Sequence, residues 1–170
     1  MLTCLIVFLA AVFSPAATLT FTAPAGWTSK PSSSTMRIAE FVLPKQAGDP
    51  EDASLVVYFF GGQGGSAQAN IDRWVSQMEQ PNGKSSKAVA LATTMTVNGL
   101  KISLVDVSGT YVAEMSPGAS EHFNKSGFRL RAAVIETPGG PYYVKLTGPA
   151  RTVAKWDASF TAFLKTLTYK

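Results

Sequence analysis

One short run concentrates the chemical possibilities of this chain: Gly61-Gly62-Gln63-Gly64-Gly65-Ser66. Within it, Gly62-Gln63-Gly64-Gly65-Ser66-Ala67 fits G-x-G-x-x-A, the spacing that lets backbone N–H groups approach a pyrophosphate. A dinucleotide fold also needs a second parallel strand that closes on an acid about 20 residues further on. Here Pro81-Asn82-Gly83 and an alternating segment follow instead, so the parallel series is missing. The other phosphate loop needs Gly-Lys-Ser/Thr, and the lysine is missing too. Two readings remain. The glycines supply a turn with positive φ, or they form a contact loop in front of a helix whose first N–H groups can face an anion. Gly62, Gln63, Gly64, Gly65, Ser66, Asn70 and Arg73 are the candidate contact residues.

Elsewhere no catalytic set assembles. His122 is the only histidine and lies beside Glu121 in a polar stretch. There is no G-x-S-x-G elbow and no S-x-x-K, so a Ser-His-Asp arrangement lacks its nucleophile. Asp49, Glu51 and Asp52 lack the spacing and turning glycine of a calcium loop. One histidine and a single cysteine, Cys4, make a zinc site improbable. No pair of carboxylates stands out for glycoside chemistry. Asn124-Lys125-Ser126 is a glycosylation sequon, relevant only in a eukaryotic secretory route. The expectation is no enzyme, no cofactor and no metal.

The elements around the loop are legible from periodicity. Leu55 to Phe60 is apolar on both sides, as in a strand covered on both faces. Ser66 is a good N-cap. After it Ala67, Ile71, Trp74, Val75 and Met78 form one helical stripe, with Asn70, Arg73 and Gln77 on the other face. Pro81-Asn82-Gly83 ends that helix. Val89 to Val97 alternates, Asn98-Gly99 turns the chain, and Ile102 to Val107 returns, the strongest short hairpin signal. Two more strands follow, Phe128 to Val134 and Tyr142 to Leu146, joined by Pro138-Gly139-Gly140-Pro141. Tyr142 and Tyr143 alternate faces, so one of them is expected at the surface or a sheet edge. A single closing helix carries Val153, Trp156, Phe160, Phe163, Leu164 and Leu167. Short strands are also expected at Thr18 to Thr22 and Met36 to Leu43, with loops at 30–34, 45–53 and 114–127. Trp27, Trp74 and Trp156 read as core residues. The blocks imply an α+β fold, an antiparallel β-sheet flanked by amphipathic helices.

The N-terminus reads as an address. Leu5 to Phe13 is an apolar core of signal-peptide length, too short to span a bilayer, and Ser14-Pro15-Ala16-Ala17 supplies a cleavage site. Residues 1–17 contain no Lys or Arg, so the amino terminus alone supplies the charge or the true start lies upstream. Residues 18–170 then form one domain, exported to a periplasmic or extracellular space, with no membrane span after cleavage. Removal of Cys4 leaves no disulfide. The net charge of +4 is scattered, and its densest pair is Arg129 and Arg131. Nucleic-acid binding would want a basic stripe with interleaved aromatics.

Phe21-Thr22-Ala23-Pro24-Ala25-Gly26-Trp27 resembles the F-x-x-P-x-G-W opening of PsbP-like and DcrB-like envelope proteins. The end is similar too: Tyr143-Val144-Lys145-Leu146-Thr147-Gly148-Pro149, then a helix closing on Phe160 and Phe163-Leu164-Lys165-Thr166-Leu167. Met36-Arg37, Gly64-Gly65-Ser66 and Asn70-Ile71-Asp72-Arg73-Trp74 resemble segments of small secreted bacterial proteins. The resemblance spans most of residues 19–167. It implies an antiparallel sheet between helices and a binding or assembly role without catalysis. No functional residue carries over, because the glycine loop has no counterpart in PsbP itself. The function expected is an exported, non-enzymatic binding or assembly module of the cell envelope, its partner an envelope protein or surface component. The alternatives are a small-ligand or anion-binding protein using the loop and the Ser66 helix start, and a carboxylate-based hydrolase.

Overall fold

A computed structural model describes residues 17–170. The segment read as a signal peptide lies, but for Ala17, outside the described residues.

The frame is an eight-stranded sheet in the order β2-β3-β4-β9-β8-β7-β5, with β6 also on β7, and every pairing is antiparallel. Its strands are β2 (Thr28–Lys30), β3 (Arg37–Leu43), β4 (Ala53–Phe59), β5 (Met78–Glu79), β6 (Leu91–Val97), β7 (Leu100–Tyr111), β8 (Lys125–Ile135) and β9 (Tyr142–Pro149). A separate two-stranded ladder joins β1 (Leu19–Thr20) to β10 (Thr168–Tyr169), tying the two ends of the described chain together. The helices are α1 (Ala67–Val75), α2 (Ser86–Val89), α3 (Ala150–Lys155) and α4 (Asp157–Lys165). The fold is α+β, with a mostly antiparallel sheet flanked by helices.

The strands' twofold alternation divides their side chains between two cores. On one face Leu55, Val57, Val144 and Leu146 meet Val153, Phe160, Phe163 and Leu164 of α3 and α4. On the other, Leu130, Ala132, Val134 and Tyr143 meet Ile71, Trp74 and Val75 of α1. β4 and β9 lie in the middle and are covered on both sides. Tyr142 and Tyr143 are therefore both buried, at 4% and 1% exposure, against the expectation that one would reach the surface. Each ring has its own core: Tyr142 stacks on Phe59 at 4.4 Å and Tyr143 meets Trp74 edge-on at 6.3 Å.

The Asn98-Gly99 turn forms as expected, with φ of +48° and +80°, both in the region a two-residue hairpin turn requires. Other elements depart from the sequence reading. The closing helix is two helices, broken at Trp156 (φ −102°, ψ 8°). The break is anchored from outside. Trp156 Nε1 donates to the Pro44 carbonyl at 3.0 Å, and Asp157 is drawn to Arg129 at 3.0 Å and Arg131 at 2.8 Å. Asp106 completes that network, so the densest basic pair is fully paired with acids. Met78 lies beyond α1 in β5, and α2 follows the Pro81 turn. Lys30 and Lys125 belong to strands rather than loops. No helix among the described residues is long and apolar enough to cross a membrane.

Candidate functional site

β4 ends at Phe59, and the chain then turns through Phe60 and the glycine loop into α1. Gly61, Gly62 and Gly65 have φ of +60°, +83° and +78°. Gly64 is glycine for another reason. A Cβ there would collide with the Tyr143 ring and hydroxyl. That hydroxyl donates to the Gly65 carbonyl at 3.1 Å, so the loop is clamped onto the central strand.

Ser66 caps α1 as expected, its Oγ accepting the Ala69 N–H at 3.2 Å. Asn70 departs from its expected place on the exposed face. It is only 5% exposed. Its amide donates to the Gly64 carbonyl at 2.6 Å and the Ser66 carbonyl at 3.0 Å, and its Oδ1 accepts from Arg73 at 2.9 Å. A buried residue facing loop carbonyls must be able to donate, and Asn meets that need where an apolar residue would not. Arg73 is exposed and forms no salt bridge among the described residues.

A groove of about 700 Å³ opens between this loop and the start of β3. Of the expected contact residues it brings together Gln63, Gly64, Asn70 and Arg73, while Gly62, Gly65 and Ser66 lie outside its lining. The rest of the lining is Thr35, Met36, Phe59, Phe60 and Gly61. Arg73 is its one charged residue. Met36 is 51% exposed although apolar. It reaches the loop because Phe59 N–H bonds the Met36 carbonyl at 2.9 Å, extending the β3–β4 ladder. A second hollow of about 610 Å³, between Ile38, Tyr142 and Tyr169, shares Phe59 with the first. Met36 belonged to a recognised segment and Phe60 preceded the glycines, but only the β3–β4 pairing places the two together.

On the α1 side of the sheet lies a basic group whose burial no sequence signal marks. It is Lys145, on β9. Its Nζ donates to Gln77 Oε1 at 2.5 Å and Tyr111 Oη at 3.1 Å, and among the described residues it has no carboxylate partner. Burial, with the nearby Arg73 and Arg37 charges, pushes its ammonium down to about 7. Burial likewise pushes Tyr111 up to about 12 and raises Tyr58 and Tyr143. Gln77, expected on the exposed face, is half-buried because it serves Lys145.

Most of the acids have local partners. Burial works to raise the Glu40 carboxyl, but hydrogen bonds from Ser33 and the adjacent Arg37 outweigh it and hold it below the usual carboxylate range. Asp49 accepts from Thr152 at 2.6 Å, Asp52 from the Lys45 N–H at 2.9 Å, and Glu51 pairs with Lys125 at 2.6 Å. His122 is exposed, with Nδ1 3.1 Å from the Ser120 carbonyl. Among the described residues no three His, Cys, Asp or Glu side chains gather to hold a metal.

No family model matches the chain. No curated protein matches it either. Solved structures do. LpqN of Mycobacterium tuberculosis, described as involved in cell envelope biogenesis, is 13% identical, with a TM-score of 0.52 over 94% of this chain and 87% of that one. The cyanobacterial PsbP, CyanoP, of Synechocystis sp. PCC 6803 is 11% identical, with a TM-score of 0.51 over 97% of this chain and 99% of its own. The fold is PsbP-like.

Proposed function

We propose that this chain is an exported, non-enzymatic binding module of the cell envelope, with residues 1–17 as its export signal and the glycine-loop groove as its contact. One observation carries the reading. The groove sets an unpaired Arg73, held by Asn70, beside the apolar surface of Met36, Phe59 and Phe60. A partly apolar hollow with few placed polar groups is the usual form of a recognition site. Its charge suits an envelope protein or surface component that presents an acidic group next to an apolar one. The envelope role described for LpqN supports the setting. The neighbourhood offers little for chemistry, since the acids described above are engaged in local contacts and the lone histidine stands apart. The alternative anion site at the helix start has less support, because Ser66 already takes the Ala69 N–H and lies outside the groove.

The test is cross-linking capture of a partner from the host's own envelope with wild type, Arg73→Glu and Gln63→Ala. Gly64→Val is a poor control, because it would displace Tyr143 and disturb the core. The expected outcome is one partner held by wild type, weakened by Gln63→Ala and lost with Arg73→Glu, while the circular dichroism spectrum shows both variants folded. Equal capture by both would move the contact away from the groove.

A further inference from the structure

β6 is an edge strand. It pairs with β7 on one side, and among the described residues nothing pairs with its other side. From Ala88 to Leu100 the sequence has neither charge nor proline. Sheet edges are normally blunted by shortness, charge, proline or a bulge, because a bare edge templates another strand. The opposite edge of this sheet has such devices. β2 is three residues long, carries Lys30 and runs into Pro31, and β3 is bulged between Arg37 and Ala39. β6 has seven residues in unbroken register and none of them. Leu91, at its start, is 69% exposed.

The hairpin decides which backbone groups are free. Val97 and Leu100 flank the two-residue turn, so they exchange both their hydrogen bonds. Counting back by twos, Met95, Thr93 and Leu91 also aim their backbone groups at β7. Thr96, Thr94 and Ala92 aim theirs outward.

We propose that β6 pairs antiparallel with β6 of a second copy, about a twofold axis through Thr94, so that one sheet continues across a dimer. The sequence is self-complementary in that register. Leu91 falls opposite the partner's Val97, Thr93 opposite the partner's Met95, and Thr94 opposite itself. The exposed Leu91 thus gains an apolar neighbour, and Thr–Thr pairs are favourable across strands. No like charges meet, because the segment has none. A charged partner would find nothing on this edge to read, whereas a copy finds matching rows. The contact is isologous and closes at two copies.

Sedimentation velocity of the purified protein over a range of concentrations, at low salt, tests this. Wild type is expected to dimerise. Thr94→Lys and Thr94→Glu each set like charges face to face on the axis and should each raise the dissociation constant at least roughly tenfold. An equimolar mixture of the two should restore the dimer. Thr94→Pro, which removes an outward N–H and leaves the β7 ladder intact, should also be monomeric with an unchanged far-ultraviolet spectrum. A wild type that stays monomeric overturns the proposal. So do dimers that persist in all three variants, or a mixture that fails to restore association.

Discussion

Lys145 is the residue whose environment departs furthest from its chemistry in water. Its ammonium sits on a buried strand with a carboxamide and a phenol for partners, while the Arg73 and Arg37 charges repel it. In the unfolded chain the same group stays charged up to an ordinary lysine value near 10.5, whereas in the fold it loses its proton near 7. Between those limits the unfolded state binds more protons, so stability rises with pH. Below pH 7 both states are charged and the burial penalty is complete. Tyr58 and Tyr111 are pushed upward and stay neutral across this window. Urea unfolding should therefore give a free energy larger at pH 9.5 than at pH 7 by on the order of a few kcal/mol. Lys145→Met should flatten the profile. A wild-type profile flat from 7 to 9.5 would mean that water or local relaxation keeps this amine charged in the fold.

At the scale of elements, α1 matters most, because its entry shapes the groove. Two side chains organise that entry differently. Ser66 is exposed and caps one N–H, so Ser66→Ala should cost about 1 kcal/mol. Asn70 is buried and satisfies two loop carbonyls while holding Arg73. Asn70→Ala leaves those carbonyls without their donor and should cost more, about 2 kcal/mol. Chemical denaturation of the two variants checks the order, and equal costs would mean that the loop closes without Asn70. The same helix marks how far the sequence could be read. Ser66, the apolar stripe and the Asn98-Gly99 hairpin were legible because their signals are local. Asn70 was misplaced because its partners are carbonyls, which no side-chain pattern records. β5 and β10 were missed because two-residue strands exist only through distant partners, Tyr111 and Leu19 among them. Of the groove, Gln63, Gly64, Asn70 and Arg73 are all named by the sequence within one segment, 63–73. Met36 joins them only through β-pairing, and nothing in the residues around Lys145 signals its burial, because Gln77 and Tyr111 reach it from distant strands and turns.

At the scale of the described molecule, one eight-stranded sheet serves two cores, and that sharing has a mechanical consequence. β4 and β9 give alternate residues to each side, so neither core can open without removing the floor of the other. Such a fold asks for two-faced central strands and covering helices rather than particular residues, in keeping with its likeness to LpqN and CyanoP at only 13% and 11% identity. The prediction is a single cooperative transition. Nature supplies the reporters, since Trp27 packs against Phe41 and Phe163 in the first core and Trp74 against Tyr143 in the second. A Trp74→Phe variant leaves the first core visible by fluorescence, and Trp27→Phe combined with Trp156→Phe leaves the second. Both should unfold at the same urea concentration once their own small stability changes are allowed for. Adding Phe163→Ala, a fully buried side chain of the first core, should cost about 3 to 5 kcal/mol and shift both signals together. If the Trp74 signal holds while the Trp27 signal moves, the two cores are separable units and the shared strands do not couple them.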